Sequence, residues 1–468
     1  MEPTTANLLT PPFERSQADF MGAVVDPTGT HADHFLTRVG VDITDVRRQL
    51  SWMLGCDVTV EPVPAPHFQE AVEQVYGTDL VGASVRGELM HELAERLQGM
   101  PTTHHTPTGD DHVVIRVVDD LLTQAVTMDA SDVHLEPGRQ GLAVRFRVDG
   151  RLLVVSQLPQ AAQPALTARL KVMAALDVAE RRSPQDGRFR FDASRPPVDV
   201  RVSTLPALHG ETVVLRLLKT NAAIPDLDAL DFREQNLDRF LEVLERPYGL
   251  LLITGPTGSG KSLTTFSALK RRATSTINAC TLEDPVEYEL PGLNQTQVNR
   301  KTGLDFAAGL RALLRQDPDV LMIGEIRDRE TAQMAVRAAM TGHLVIATLH
   351  TNDAVTAVSR LLDMGVEAID LAAALGGVLA QRLVRRTCKA CRGEGCDACH
   401  GSGLRGRMAL HEFLQADRAF RAGVQSGQGV DGLRELAEAG GMETLMEDGQ
   451  AKVAEGLTTL AEVRAQAA

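Results

Sequence analysis

A glycine-rich segment followed by lysine and serine carries the strongest chemical signal in the sequence. Residues Gly255–Ser262 match the pattern G-x-x-x-x-G-K-S/T in full. Glycines let successive backbone N–H groups turn inward around phosphate oxygens, and a following helix adds the positive end of its dipole. In this pattern Lys261 supplies a charge to the β- and γ-phosphates, and the Ser262 hydroxyl binds Mg²⁺. We therefore predict an ATP–Mg²⁺ site whose contacts come from Gly255, Pro256, Thr257, Gly258, Ser259, Gly260, Lys261, Ser262 and Leu263.

A carboxylate at the end of a predicted strand is the candidate activator of water. In the segment Asp319–Glu325, four apolar residues are followed by Gly324 and Glu325. We predict that Glu325 orients and activates the attacking water, because phosphoryl transfer to water needs a positioned nucleophile. The alternative is that Glu325 is an N-cap or first-turn acid of the next helix, since Asp328 and Glu330 follow.

An acidic loop and a histidine are expected to complete the site. Thr281–Glu287 places three acids around Pro285. We predict Glu283 and Glu287 as catalytic carboxylates that hold Mg²⁺ through water or position the nucleophile. His350 lies at the C-terminal end of a predicted strand, where ligands of open α/β sheets gather, and would sense the γ-phosphate. A solvated acidic turn and a structural histidine are the alternatives.

Four cysteines within twelve residues form two consecutive C-x-x-C-x-G-x-G units. Each C-x-x-C turn aims two thiolates at one point, and two turns make a tetrahedral Zn²⁺ site with no open position. We predict a structural zinc site formed by Cys388, Cys391, Cys396 and Cys399. Two alternatives stay open: His400 in place of Cys399, and a redox-active dithiol.

The segments around these residues predict the scaffold that holds them. Residues 233–387 alternate short apolar strands with helical stretches, which is typical of a mostly parallel α/β domain. The clearest elements are strands at Leu250–Thr254, Val320–Ile323 and Leu344–Thr348 and a helix at Leu263–Arg272. The cysteine module would occupy residues 388–403, and residues 404–468 are predicted to be helical.

Residues 112–219 predict a separate α+β domain. Its elements are a helix at Val113–Thr127, a hairpin at Val144–Val155 that turns at Asp149-Gly150, a helix at Ala162–Ala179, and strands at Val198–Val202 and Glu211–Leu218. The polar, Pro-containing stretches 101–111 and 220–232 are predicted linkers. Residues 1–100 would form a small N-terminal domain with a helix at Val85–Leu97.

Composition narrows the class of partner. The formal net charge is −14, and residues 1–110 hold 16 Asp/Glu against 6 Arg, or −10 of that charge. Aromatic residues make up only 4% of the chain. Nucleic-acid binding usually leaves a basic surface or aromatic stacking platforms, so both observations argue against it. Without a signal-peptide pattern or an apolar span of ~18 residues, we expect a cytoplasmic protein whose membrane contact is peripheral.

The order of these motifs resembles the secretion-ATPase superfamily, and within it the type II secretion and type IV pilus assembly ATPases. The glycine-rich loop, acidic loop, strand ending at Glu325 and histidine segment Thr341–Ala354 follow the family order. Further matches lie at Ala130–Pro137, Glu180–Arg188 and Gly441–Gly449. The resemblance implies a RecA-like P-loop motor domain of the α/β class. It also implies a preceding α+β (PAS-like) domain, a small N-terminal domain and a tetracysteine zinc insertion.

The resemblance also implies how the nucleotide site is completed. The family forms hexamers that bind ATP between the motor and the preceding domain, with catalytic arginines at the positions of Arg201 and Arg216. Arg311 and Arg315 match further motor-domain arginines. Arginine suits the charge spread over transferring phosphate oxygens. The alternative is that Arg201 and Arg216 are outward-facing residues of alternating strands.

The predicted function is ATP hydrolysis by a hexameric cytoplasmic motor at the inner face of the inner membrane. By resemblance, the motor powers assembly of a type II secretion pseudopilus or a type IV pilus, and residues 1–100 dock it to inner-membrane platform and docking proteins. The tetracysteine repeat resembles the zinc module of DnaJ-type chaperones and is typical of assembly rather than retraction ATPases. The competing hypotheses are a nucleic-acid-translocating P-loop ATPase and a binding module that does not hydrolyse ATP.

Overall fold

The computed structural model describes residues 23–25, 34–38, 43–54, 57–64, 71, 112–194, 197–218, 224–399 and 401–467. The chain divides into two compact units, Met1–Asn221 and Ala222–Ala468, and each is described by itself. No helix in the described ranges combines the length and the apolar character that crossing a bilayer requires. The helix predicted at Val85–Leu97 and the linker predicted at 101–111 lie outside the described residues.

The first unit begins with a small mixed sheet. Strands β1 (Ala23–Val25), β2 (His34–Arg38) and β3 (Thr59–Val63) lie in that order, with β2 antiparallel to β1 and parallel to β3. Helix α1 (Ile43–Leu54) makes the crossover that parallel pairing of β2 and β3 needs. The helix and the sheet bury a small core formed by Ala23, Phe35, Val46, Leu50, Val58 and Val60.

Residues 112–218 of the first unit, where the structure describes them, form a six-stranded antiparallel sheet with two helices. In chain order its elements are α2 (His112–Thr127), β4 (Asp132–Gly138), β5 (Gly141–Val148), β6 (Arg151–Leu158), α3 (Ala162–Met173), β7 (Gln185–Phe191), β8 (Val198–Ala207) and β9 (Gly210–Leu218). The strand order is β6-β5-β4-β9-β8-β7. Alternate residues such as Val198, Val200 and Val202 are buried on the face that packs against the helices.

The predictions for this sheet are confirmed except at one helix end. The hairpin turns at Asp149 and Gly150, which both have positive φ values, of 48° and 86°, as a two-residue hairpin loop requires. The strands at Val198–Val202 and Glu211–Leu218 are also present. The helix predicted at Ala162–Ala179 instead ends at Met173, because the chain leaves the helical conformation at Ala174 and turns through Ala175, whose φ is 54°.

The second unit is built around a seven-stranded sheet. In chain order its elements are α4 (Glu234–Leu244), β10 (Gly249–Thr254), α5 (Lys261–Arg272), β11 (Ala279–Glu283), β12 (Leu293–Gln297), α6 (Phe306–Leu313), β13 (Val320–Ile323), α7 (Arg329–Met340), β14 (Leu344–Leu349), α8 (Ala354–Asp363), α9 (Ala368–Ala374), β15 (Leu375–Thr387), β16 (Leu404–Gln415), α10 (Arg418–Gln425), α11 (Val430–Ala439), α12 (Leu445–Ala454) and α13 (Leu460–Ala467). Short 3₁₀ turns lie at Leu227–Ala229, Arg300–Thr302 and Asp397–Cys399.

This sheet is parallel except at one edge. Its order is β12-β11-β13-β14-β10-β15-β16, and only the pair β15/β16 is antiparallel. Strands β10, β13 and β14 are buried along their whole length. Alternate residues of β10 enter two different cores, with Leu250 and Leu252 in one and Leu251 and Ile253 in the other. Helices therefore cover both faces, as in other parallel sheets.

The prediction that residues 404–468 are helical is wrong for their first twelve residues. Leu404–Gln415 forms strand β16 and pairs with β15 along most of its length. The run Met408–Leu414, which includes His411 and Glu412, is buried throughout, and a short run that is buried on all sides does not distinguish a strand from a buried helix by its pattern alone. The seven-stranded sheet therefore extends beyond residue 387, and the cysteine module lies within the connection between its last two strands.

Candidate active site

The glycine-rich loop lies at the carboxyl end of β10, in the middle of the parallel sheet. Strand β10 is flanked by β14 and β15, and helix α5 begins directly after the loop, at Lys261. Gly255 and Gly260 have φ values of 149° and 87°, a region that side-chain-bearing residues rarely adopt. A Cβ atom at Gly255 would lie 2.5 Å from the backbone oxygen of Gln381. The close approach of β15 therefore requires glycine at this position.

Lys261 is held over the loop that precedes it. Its Nζ donates to the backbone oxygens of Gly255 at 2.7 Å and Pro256 at 2.9 Å. Burial lowers the pKa of Lys261 to about 8, while the carboxylates of Glu325 and Glu287 oppose this shift and Arg382 adds to it. A partly desolvated ammonium group with only carbonyl oxygens as hydrogen-bond acceptors is well suited to bind a phosphate.

Glu325 follows β13 and lies next to two basic side chains. Its carboxylate is 12% exposed, forms an ion pair with Arg327, and lies 3.6 Å from Nε2 of His350. Burial and the positive charge of Lys261 lower the pKa of His350, so His350 is neutral near pH 7 and offers a hydrogen bond rather than a charge. The structure thus brings the predicted residues Lys261, Glu325 and His350 together at the carboxyl edge of the sheet.

The two glutamates of the acidic loop have different surroundings. Glu283 is buried at the end of β11, where its Oε1 accepts from Thr281 Oγ1 at 2.5 Å and from Gln295 Nε2 at 3.1 Å. Burial raises the pKa of Glu283 despite these two hydrogen bonds. Glu287 is exposed, and its negative charge raises the pKa of Lys261 against the effect of burial. Glu283 is therefore placed to hold the acidic loop on the sheet, and Glu287 to face solvent beside Lys261.

The helices after the central strands begin in two different ways. Asp328 caps α7 by accepting from the backbone N–H of Thr331 at 2.8 Å. Asp353 caps α8 by accepting from the N–H of Thr356 at 2.7 Å. Helix α5 instead has Gly260 at its N-cap, with no side-chain hydrogen bond. Asp328, and not Glu325, is thus the cap of α7, while the first N–H groups of α5 are left for a ligand such as phosphate.

Sequence reasoning missed the side chains that support this site from neighbouring strands. Gln381 of β15 donates from Nε2 to Ser259 O at 2.9 Å and accepts from Thr264 Oγ1 at 2.7 Å. Thr254 Oγ1 lies 2.8 Å from Thr351 Oγ1. Gln381 is a buried polar residue that directly follows the apolar first half of β15, Leu375–Ala380, and a buried polar group normally has a specific hydrogen-bond partner. That was the available signal.

The two arginines predicted to complete the site belong to the first unit. Arg201 of β8 and Arg216 of β9 are directly opposite each other in the sheet. Arg216 forms an ion pair with Asp132 at 3.0 Å and its side chain is 58% exposed. This placement agrees with outward-facing strand residues, so their contact with a nucleotide stays a prediction. In the second unit Arg311 forms an ion pair with Glu330, and Arg315 donates to Arg311 O at 2.8 Å.

The four predicted zinc ligands lie together in the connection between β15 and β16. Their four Sγ atoms, of Cys388, Cys391, Cys396 and Cys399, all lie within 4.8 Å of one another. Three of the sulfur pairs are 3.7–3.9 Å apart, and a tetrahedron with Zn–S bonds of about 2.3 Å has edges of about 3.8 Å. Backbone N–H groups of Gly395 and Cys396 donate to two of the sulfurs at 3.2 Å. The set therefore fits a closed thiolate site; His400 lies outside the described residues.

A family match decides the class of protein. The match to the family described as type II/IV secretion system protein covers residues 108–465. The chain belongs to this family. Similar proteins include the type IV pilus assembly ATPase PilB of Thermus thermophilus, which is 44% identical over 456 residues, covering 91% of this chain and 50% of that protein. This chain thus spans half the length of that relative.

Other relatives match along most of their own length. The type II secretion system protein HxcR of Pseudomonas aeruginosa is 51% identical over 364 residues, covering 76% of this chain and 78% of that protein. The type II secretion system ATPase E of Vibrio cholerae is 45% identical over 429 residues, covering 85% of this chain and 84% of that protein. The predicted family and the ATPase class are confirmed, and none of these relatives supports the nucleic-acid-translocating alternative.

Two solved structures share the fold of this chain. The pilus retraction motor PilT, solved with bound ADP, is 28% identical with a TM-score of 0.55, covering 75% of this chain and 96% of that one. The ATPase DotB of Legionella pneumophila is 24% identical with a TM-score of 0.59, covering 78% of this chain and 97% of that one. The predicted RecA-like α/β fold is confirmed.

Proposed function

We propose that this chain is an ATP-hydrolysing motor that works as a homohexamer and powers assembly of a type II secretion pseudopilus or a type IV pilus. The observation that carries this proposal is the placement of Lys261 and Glu325 together beside an uncapped helix N-terminus, in a chain of the secretion ATPase family. That arrangement supplies the two functions that hydrolysis needs, a grip on the phosphates and a carboxylate near the attacking water.

The phosphate-binding half of the reaction depends on the loop and on α5. Backbone N–H groups of Gly255–Ser262, other than Pro256, would surround the β- and γ-phosphates, and Lys261 would exchange its bonds to Gly255 O and Pro256 O for phosphate oxygens. The Ser262 hydroxyl, in the first turn of α5, would be a ligand of Mg²⁺, which neutralises developing charge on the phosphate oxygens. Thr257 and Leu263 would complete the wall around the nucleotide.

The water-activating half depends on Glu325. A water oxygen attacks the γ-phosphorus, the bond to the leaving oxygen of ADP breaks, and Glu325 orients the water and accepts its proton. Arg327 and His350 lie against the Glu325 carboxylate and would hold it in one orientation. Glu287 would adjust the charge around Lys261, and Glu283 would act by positioning the acidic loop.

Residues outside the seven-stranded sheet would supply further phosphate contacts, a structural metal site and a docking domain. Arg201 and Arg216 of the 112–219 domain are proposed to contact the phosphates when subunits assemble, because guanidinium groups stabilise charge on transferring phosphoryl oxygens. The four cysteines are proposed to hold one structural Zn²⁺. Residues 1–100 are proposed to dock the hexamer to platform and docking proteins at the inner face of the inner membrane, so that the cytoplasmic motor contacts the membrane only through partners.

The proposal is tested with the purified full-length chain. We expect phosphate release from MgATP that is unaffected by added DNA or RNA, together with a particle mass of six chains by analytical ultracentrifugation in the presence of nucleotide. Hydrolysis stimulated by nucleic acid would instead support a translocase. Failure to bind MgATP, alone or with its partners, would overturn the proposed function altogether.

A further inference from the structure

Gln381 is a buried amide that contacts the phosphate-binding loop from the adjacent strand. Gln381 is only 3% exposed. Its amide forms hydrogen bonds to both sides of the loop–helix junction, with Ser259 O at 2.9 Å and with Thr264 Oγ1 at 2.7 Å. We propose that Gln381 is a positioning residue for ATP binding, which fixes the peptide between Ser259 and Gly260 and the first turn of α5. This inference rests on the proposed function and adds a residue to the same site.

The register of the sheet explains why residue 381 reaches the loop. Strand β15 pairs with β10 up to the partners Thr254 and Ala380. At the next residue β10 has become the glycine-rich loop, whereas β15 continues to Thr387. The side chain of Gln381 therefore lies where the pairing stops and the loop turns away, and its amide takes the place of the next strand-to-strand contact.

The direction of the hydrogen bonds fits a positioning role. In a planar trans peptide the C=O and the following N–H point in opposite directions. Because Gln381 Nε2 donates to Ser259 O, the N–H of Gly260 in the same peptide points away from Gln381 and is not used by this side chain. At the other end of the amide, Thr264 Oγ1 donates to Gln381 Oε1. One amide thus orients both the last part of the loop and the start of the helix.

The glycines of the loop lie tightly against the same residue. A Cβ atom at Gly255 would be 2.5 Å from Gln381 O, and one at Gly260 would be 2.7 Å from Gln381 Nε2. Two of the glycines that define the motif are therefore matched to this neighbour as well as to phosphate. Gln381 is in turn followed by Arg382, which donates to Asn352 O at 2.6 Å and to Gln466 O at 3.2 Å and so fixes β15 on its other side.

A positioning role and a purely structural role give different kinetics. The loop contacts the phosphates in the ground state and in the transition state, so loosening it weakens both equally, which raises KM and leaves kcat nearly unchanged. Loss of folded protein lowers the active fraction, which lowers the apparent kcat and leaves KM unchanged.

The main experiment replaces Gln381 in the full-length chain. Gln381→Met keeps the length of the side chain and removes both hydrogen-bonding groups. We expect the KM for MgATP and the Kd for a fluorescent ATP analogue to rise about tenfold, because two buried polar partners lose their hydrogen bonds. The kcat should stay within about twofold of wild type. An unchanged KM and Kd, or a lower kcat at unchanged KM, would overturn the inference.

A second variant and a control keep the test decisive. Thr264→Val removes the hydroxyl that donates to Gln381 and should raise KM by a smaller factor; in the double variant the two effects should not multiply, because the residues act through one contact. If Gln381→Met does not fold, an unchanged KM in Thr264→Val overturns the inference instead.

Gln415→Met, on β16 of the same hairpin, is the matched control and should leave KM unchanged. If wild type itself binds no MgATP, the proposed function fails and this inference falls with it.

Discussion

The phosphate-binding loop, which contacts β15 through Gln381, and the cysteine module, which follows β15 in the chain, are both glycine-rich turns, but they are organised in different ways. The loop Gly255–Gly260 is held from outside, by the parallel sheet and by Gln381. The cysteine module holds itself: its contacts are sulfur–sulfur pairs and N–H···S bonds within twelve residues. The comparison teaches that an open site, which must bind and release a ligand, is made rigid by the surrounding fold. A closed site is made rigid by contacts among its own metal-ligating residues.

The largest effect should come from removing the charge of the open site. Lys261→Ala is expected to lower kcat/KM for ATP by at least about 100-fold, because the proposed contact between its partly buried ammonium group and the phosphates would be lost. Phosphate release and nucleotide affinity measure this effect. Lys389→Ala, an exposed lysine of the cysteine module, is the control and should behave like wild type. Equal effects in the two variants would break the distinction between the two loops.

The next effect separates binding from chemistry within the open site. Glu325→Gln should lower kcat about 100-fold or more while the affinity for MgATP stays near that of wild type, because the amide cannot accept the proton of water. Single-turnover phosphate release and analogue binding distinguish the two quantities. Glu367→Gln, an exposed acid of the same unit, serves as control. Hydrolysis by Glu325→Gln at the wild-type rate would remove Glu325 from the catalytic assignment.

A smaller effect should appear in the pH dependence of nucleotide binding. The pKa of Lys261 is lowered to about 8 in the free protein, and phosphate binding favours the protonated form and raises that pKa again. The affinity for MgATP should therefore be constant below pH 8 and fall as pH rises through it, by about tenfold at pH 9. Isothermal titration calorimetry at pH 7, 8 and 9 measures it, with circular dichroism to show that the fold persists. A constant affinity across this range would mean that Lys261 stays charged.

The smallest effect on hydrolysis should come from the closed site. We expect wild type to bind one zinc per chain, and Cys396→Ser to bind none and to melt several degrees lower, because structural zinc sites contribute directly to folding. The ATPase rate of the protein that stays folded should change less than about twofold. Metal analysis and calorimetry measure both, with Cys280→Ala as the cysteine control outside the module. A large loss of kcat in folded, zinc-free protein would show that the two loops are coupled.

Sequence reasoning predicted those parts of the molecule whose pattern lies within a short stretch of consecutive residues. The loop Gly255–Ser262, the cysteine pairs and the apolar strands β10, β13 and β14 each have a local pattern, and a parallel sheet then brings Glu325 and His350 to one edge. Gln381 was missed because its partner Ser259 lies 122 residues earlier in the chain. Strand β16 was missed because a fully buried run has no alternation of polar and apolar residues from which its period could be recognised.

The different caps at the start of α5, α7 and α8 have a consequence for selectivity. An aspartate cap is a permanent anion of the protein's own, and it competes with any phosphate for the same N–H donors. Asp328 and Asp353 therefore occupy the N-termini of the two helices that follow β13 and β14, where backbone N–H groups could otherwise bind a phosphate. Because Gly260 places no side chain on the first N–H groups of α5, that helix start is the position we propose for the triphosphate, and the aspartates at α7 and α8 would disfavour its binding there through their negative charge.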